Sequence, residues 1–122
     1  MIKGIGVDIV EIPRLAEALA RTPRLAERCF TLGEREYCEQ QAHRIQHYAG
    51  RFAAKEAIAK AAGRSLPWHG VEISHDQHHR PVVHLSVRAR ELMPDAAVLL
   101  SISHSGDYAV AFAILIEAGG GT

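Results

Sequence analysis

Apolar and polar positions alternate along Ile2 to Ile12. Ile5, Val7 and Ile9 fall to one side, and Gly4, Gly6, Asp8 and Val10 to the other, which is the period of a β-strand. At Pro13 the period changes to that of a helix: Pro13 suits a first turn, and Leu15, Ala16 and Leu19 recur at helical spacing. Thr22-Pro23 breaks that helix and permits a second from Arg24 through Phe30. Thr31 followed by Glu34 has the form of a capping box opening a third. Gln40 to Ala62 reads as one long helix, alanine-rich and ending on Gly63, a residue suited to a helix C-terminus. Ile45, Ala49, Phe52, Glu56 and Ala59 fall on one of its stripes, with Lys60 at the edge.

The second half reads mainly as strands. Val71 to Ser74 and Val82 to Leu85 form a pair joined by the polar run His75 to Pro81. Ser86 to Met93 is predicted as a short helix with Ser86 as N-cap and Pro94 just beyond it. Val98 to Ser103 and Tyr108 to Ile116 are strands around the turn Ser105-Gly106-Asp107. Ala109, Ala111 and Ala113 give the last strand a small-residue face, fit for close packing on the long helix or on a neighbouring subunit. The order of elements predicts an α+β fold, a small antiparallel sheet packed on a long central helix. At 122 residues the chain is expected to form one domain over 1–117, with a flexible tail at 118–122.

Two carboxylates break this pattern. Asp8 lies inside a β-branched run beside two glycines that leave room for a close approach. It either ends the strand into a turn or meets a metal or other cation. Glu56 lies in the middle of an apolar stripe, where an unpaired charge is costly. It either meets a cation or pairs with Lys60 at i, i+4 on the surface. Two oxygen-donor carboxylates with open remaining positions suit magnesium, which keeps waters and accepts phosphate oxygens, and a lysine complements the same phosphate. The residues therefore point to metal-assisted chemistry on a phosphate or pyrophosphate. His75, His78 and His79 crowd one loop, as ligands of a transition metal or as ordinary loop residues. His104 closes an apolar strand, where a core or turn histidine is the plain reading. No Gly-rich phosphate loop, nucleophile elbow or nucleophile with an adjacent base is present.

Composition narrows the picture only a little. Lys plus Arg and Asp plus Glu both number 14, so no global charge favours nucleic acid. Arg14, Arg21, Arg24 and Arg28 nonetheless form a local basic set, either a solvated face or a docking surface for an acidic partner. The two cysteines, Cys29 and Cys38, read as reduced thiols of a cytoplasmic protein. No stretch has the length of a membrane span, and the N-terminus has no signal-peptide pattern.

Three blocks coincide with one family. Gly4-Ile5-Gly6-Val7-Asp8-Ile9-Val10-Glu11-Ile12, Arg51-Phe52-Ala53-Ala54-Lys55-Glu56-Ala57 with Lys60, and Ser101-Ile102-Ser103-His104 with Tyr108-Ala109 resemble the small holo-acyl-carrier-protein synthases. These are the short, stand-alone 4'-phosphopantetheinyl transferases. The resemblance implies transfer of the phosphopantetheine arm of coenzyme A to a serine of apo-acyl carrier protein, so that the nucleophile belongs to the partner. It implies Asp8 and Glu56 as magnesium ligands, Lys60 near the transferred phosphate, His104 at the coenzyme A site, and Asp8, Glu56, Lys60 and His104 as the catalytic set. Arg51, Lys60, Gly63 and His104 would hold the coenzyme, and Arg14, Arg21 and Arg24, with Arg28 nearby, would dock the carrier protein. It further implies a homotrimer with sites between subunits, a state that the alanine face suits, and no nucleic-acid or membrane partner. Where relatives carry a longer Gly-rich connection after the long helix, this chain has only Gly63-Arg64-Ser65-Leu66-Pro67-Trp68. A non-catalytic module binding a nucleotide or a carrier protein is the alternative reading, and a histidine-based metal hydrolase a third.

Overall fold

The structure, a computed structural model, describes residues 1–119. Its elements in chain order are β1 (Ile2–Glu11), α1 (Ile12–Arg21), α2 (Leu25–Cys29), α3 (Leu32–Glu39) and α4 (Arg44–Ala62). A single 3-10 turn at Trp68–Gly70 then leads into β2 (Val71–His75), β3 (Pro81–Leu85), α5 (Val87–Leu92), β4 (Ala96–Ser105) and β5 (Tyr108–Glu117). The strands divide between two antiparallel sheets, one ordered β1-β5-β4 and one a β2-β3 hairpin. Of the expected tail, Ala118 donates its amide to Asp95 O at 2.9 Å, while residues 120–122 lie outside the described residues.

The local signals account for most boundaries. The capping box at α3 is complete: Thr31 Oγ1 accepts from the Glu34 amide at 3.2 Å, and the Glu34 carboxylate accepts from the Thr31 amide at 2.9 Å. Ser86 caps α5 in the same way through the Ala89 amide at 3.1 Å. Gly63 closes α4 in the left-handed conformation, φ 71°. The long helix starts at Arg44 rather than Gln40. Residues 40–43 turn the chain instead, braced by Glu39, which accepts from Arg44 Nε at 3.0 Å and from the Tyr48 hydroxyl at 2.8 Å.

The buried face of α4 is not the stripe that contains Glu56. Gly50, Ala53, Ala54, Ala57, Ile58 and Ala61 are the residues pressed against the three-stranded sheet, while Phe52, Glu56 and Ala59 lie at the border and keep partial contact with solvent. Packing by small side chains lets backbone meet backbone. A Cβ on Gly4 would lie 2.0 Å from the Ala61 carbonyl oxygen, and one on Gly6 2.0 Å from that of Ala57. The room these two glycines leave is thus filled by the helix. Two residues along the strand match one turn along the helix, so the crossing fixes where Asp8 emerges.

The alanine face is internal. Ala109, Ala111 and Ala113 are all at most 1% exposed, so of the two packings the sequence allows they take the one on the long helix, and they are not the face that would suit a neighbouring subunit. The opposite face of the same sheet is open and apolar, with Ile5 61%, Val7 51%, Ile9 63%, Leu99 54% and Phe112 43% exposed. A second cluster, centred on Phe30 and Tyr48 with ring centroids 4.9 Å apart, ties α1, α2 and α3 to the first half of α4. Cys29 and Cys38 are buried free thiols, and burial raises the Cys38 pKa to about 11.

Candidate active site

A buried ion pair that the sequence reading did not anticipate holds the site's scaffold. Lys55 Nζ lies 2.8 Å from Glu34 Oε1 and donates to the carbonyls of Trp68 and Val71, both at 2.7 Å. The other Glu34 oxygen accepts from the Ile73 amide at 2.8 Å. Both side chains are almost wholly enclosed, yet the polar atoms that meet there are matched, as a buried pair requires. Burial pulls the Lys55 pKa below its ordinary value, and the neighbouring Glu34 carboxylate opposes the shift. The pair fastens α3, α4 and the start of β2 to one another. Neither residue stands out in the sequence: Glu34 reads as half of a capping box, and Lys55 is one of two lysines in an alanine-rich helix.

On the neighbouring face of α4 the expected acids converge. Asp8, from β1, and Glu56, from α4, line one groove together with Glu11, Arg14, Arg21 and Tyr108. Lys60 Nζ sits 3.0 Å from Asp8 Oδ1 and 3.1 Å from the Val7 carbonyl oxygen. Asp8 thus has a cationic partner, while Lys60, its side chain 55% exposed, stays free to swing. Glu56 and Lys60 also border an adjoining cleft of about 470 Å³, walled by Gly63, Arg64, Ser65, Leu66, Pro67 and Trp68. The short connection after α4 therefore forms a wall of this site. Phe52 stacks on Trp68 at 5.2 Å and stiffens it. A Cβ on Gly63 would meet nothing within 4 Å, so that glycine serves the turn and leaves the mouth of the cleft open.

The donor chemistry fits magnesium: Asp8 and Glu56 share one groove with two further carboxylates, Glu11 and Glu17, and with no sulfur or imidazole beside them. Among the described residues, no three His, Cys, Asp or Glu side chains are grouped as ligands for a metal ion. The loop histidines accordingly do not form a metal centre. His75 accepts from Arg51 Nη2 at Nδ1, 3.3 Å away, and His78 lies 3.4 Å from Gln77 Nε2.

Two expected site residues, Arg51 and His104, lie elsewhere. They share a different cleft, lined also by His47, Gly50, His75 and His79. One chain thus holds Asp8, Glu56, Lys60 and Gly63 in one region and Arg51 and His104 in another. The basic set divides as well. Arg14 and Arg21 border the groove of Asp8 and Glu56, Arg14 lying 3.7 Å from Glu11 Oε1. Arg24 and Arg28 are exposed and do not line it. The Ile12 amide, bonded to the Asp107 carbonyl oxygen at 2.7 Å, fixes the start of α1 and with it the placement of Arg14.

Comparison with known proteins shows the family. The family model of the 4'-phosphopantetheinyl transferase superfamily matches residues 4–113, and the chain belongs to that superfamily. Within it, the chain is 46% identical over 123 aligned residues to the holo-[acyl-carrier-protein] synthase of Geobacter metallireducens, covering 94% of this chain and 98% of that one. It is also 46% identical to the enzyme of the same description from Bacillus pumilus, covering 96% and 97%. Among solved structures, the holo-[acyl-carrier-protein] synthase of Neisseria meningitidis matches with a TM-score of 0.89 at 30% identity, over 96% of this chain and 100% of that one. The Bacillus anthracis synthase, solved in complex with CoA (3',5'-ADP), matches with a TM-score of 0.80 at 35% identity, over 94% and 96%.

Proposed function

We propose that this protein transfers the 4'-phosphopantetheine group of coenzyme A to a serine of an apo-acyl carrier protein, leaving the holo-carrier and adenosine 3',5'-bisphosphate. The observation that carries the reading is the meeting of Asp8 and Glu56, from a strand and a helix, at one groove with Lys60 beside them. In the reaction the serine oxygen bonds to the phosphorus that bears the pantetheine arm. The bond from that phosphorus to the bridging oxygen breaks, and the hydroxyl proton leaves.

Asp8 and Glu56 would hold magnesium, which when bound offsets negative charge on the pyrophosphate. Lys60, a compact cation on a flexible stem, turns from Asp8 to the transferred phosphate. Gly63 keeps the entrance open, and the Phe52–Trp68 stack shapes the wall along which the substrate lies. Arg14 and Arg21 border the same groove, so a carrier helix rich in carboxylates would be drawn to where its serine is needed. Arg24 and Arg28 would extend that field along α2. Arg51 and His104 are assigned to coenzyme A. Because they lie apart from the acids within one chain, the complete site forms between subunits of a homotrimer. The exposed face of Ile5, Val7, Ile9, Leu99 and Phe112 supports such an assembly, since an open apolar face of this kind is normally covered. The reading places the protein in the cytoplasm, acting on a protein partner and neither a nucleic acid nor a membrane.

The test is the mass of the carrier. Incubation with coenzyme A, magnesium chloride and an apo-acyl carrier protein should add one phosphopantetheine, and Glu56→Ala should abolish the addition while leaving a folded protein. Carrier binding without modification would favour a non-catalytic module. Full turnover by the Glu56 variant would overturn the assignment of the acids.

A further inference from the structure

The turn at Trp68–Gly70 supplies Trp68 to the wall of the cleft that Glu56 and Lys60 border, and separate elements fasten it. Lys55 Nζ holds the Trp68 carbonyl at 2.7 Å, and the Gly70 carbonyl accepts from the Ser86 amide at 2.9 Å. Both anchors belong to the body of the fold, α4 and the cap of α5. A further bond runs elsewhere: His69 Nε2 lies 2.7 Å from the carbonyl oxygen of Glu27, in α2. A carbonyl oxygen only accepts, so Nε2 carries the proton and His69 is the donor. Trp68, Phe52 and the α2 residues Leu25 and Ala26 all pack against the cluster of Phe30 and Tyr48.

Helix α2 is itself lightly held. It has five residues and no side chain capping its N-terminus, and a helix this short owes its order to what touches it. Yet it carries the basic residues that the groove of Asp8 and Glu56 does not use. Arg24 stands at its N-cap and Arg28 in its last turn, both exposed, and neither has an ion-pair partner among the described residues. Arg28 directly follows Glu27. The side chain offered to an anionic partner is thus the neighbour of the carbonyl that holds His69.

We propose that His69 is a positioning residue through which a carrier protein docked on α2 steadies the Trp68 wall of the coenzyme cleft. The proposal rests on the coenzyme A and carrier-protein reading given above and adds a link between the two substrates. Carboxylates of the carrier that meet Arg24 and Arg28 hold α2 in its helical form and so fix the Glu27 carbonyl. The imidazole then donates to a fixed acceptor, and Trp68, one residue before it, loses freedom where the coenzyme lies. His69 itself touches neither substrate. The effect is reciprocal, so coenzyme bound along a firm wall favours the carrier by the same factor. A single neutral hydrogen bond limits that factor to about two- to tenfold.

Trp68 is the only tryptophan of the chain, so its fluorescence reports on the wall directly. The probe is an apo-acyl carrier protein without tryptophan, its acceptor serine replaced by alanine so that nothing is transferred. Added to the assembled protein, it should shift Trp68 emission, slow quenching by acrylamide and tighten coenzyme A binding about threefold in calorimetry. His69→Phe keeps a ring without a donor and should lose all three responses. His69→Gln, whose amide reaches about as far as Nε2, should restore them. Without the carrier, coenzyme affinity should differ by less than about twofold among wild type and both variants, which a general loosening of the cleft would not give. A carrier that binds wild type yet leaves Trp68 and coenzyme affinity unchanged overturns the proposal and spares the transferase reading. An undiminished response in His69→Phe, or a His69→Gln variant no better than His69→Phe, does the same. Absence of carrier binding, together with no transfer to the serine form, removes both.

Discussion

Replacing Lys55 by methionine probes the ion pair on which the site's walls depend. The side chain is 3% exposed and its Glu34 partner 0%, so the substitution leaves a carboxylate with little access to water and two carbonyls, of Trp68 and Val71, without their donor. Stranding one member of a buried pair costs about 3–5 kcal/mol. Glu34 keeps the Thr31 and Ile73 amides, which favours the lower part of that range. Against a total stability of about 5–15 kcal/mol for a domain this size, the loss is a large share. At about 3–6 °C per kcal/mol for a chain of this length, the melting temperature should drop by roughly 10–20 °C. The assay is thermal unfolding at a fixed protein concentration, because assembly adds to apparent stability. Glu34→Leu combined with Lys55→Met should be at least about 1 kcal/mol more stable than the sum of the two single losses, since neither charge is then stranded. A drop of less than about 1 kcal/mol for Lys55→Met, or strict additivity in the double variant, would refute the reasoning.

Other perturbations test other parts of the structure. Gly6→Ala places a Cβ 2.0 Å from the Ala57 carbonyl oxygen, so it should cost about 3 kcal/mol or more and lower the soluble yield, read by denaturant unfolding. Arg14→Glu should raise the KM for the carrier protein about tenfold with little change for coenzyme A, and should weaken the salt dependence of turnover. Phe112→Glu, on the open sheet face, should shift sedimentation toward monomer and abolish transfer while the isolated chain keeps its helical circular dichroism. The pKa values of His47 and His75 are depressed in the fold, so the unfolded chain gains protons first as the pH drops below about 6.5. Stability should therefore fall from that pH down toward the depressed values, and in a His47→Gln/His75→Gln variant the dependence on pH should be shallower.

Much of the fold was legible because its signals are local. The alternation in β1, the Thr31–Glu34 capping box, the Ser86 cap and the left-handed Gly63 each depend on a few neighbouring residues, and each appears in the structure. The start of α4 was misplaced because Gln40–His43 carries helix-compatible residues, and only the bonds from Glu39 to Arg44 and Tyr48 show the chain turning there. The buried face of α4 was misread for a related reason. On a helix built mainly of alanine, hydrophobic periodicity is weak, and the choice of inner face falls to two glycines on a strand some fifty residues earlier. Asp8, Glu56 and Lys60 could be picked out as charges out of pattern. The Lys55–Glu34 pair and the histidine cleft could not, because each joins residues distant in sequence whose individual spacings are ordinary.

The alternation that made β1 readable also links chemistry to assembly. Asp8 points toward α4 and Lys60, while its neighbours Val7 and Ile9 point to the open face, 51% and 63% exposed. Whatever covers that face therefore lies one residue from the acid, and a shift of the strand moves both together. Gly4 and Gly6 hold β1 against α4 on one side, leaving the outer side to carry the apolar load. A subunit docked there would steady the strand that presents Asp8. On the reading above, it would also bring an Arg51 and a His104 toward a groove that lacks them within its own chain. In that arrangement a lone chain holds every residue of the site but not the site itself, so folding, association and phosphopantetheine transfer follow from the same ten-residue strand.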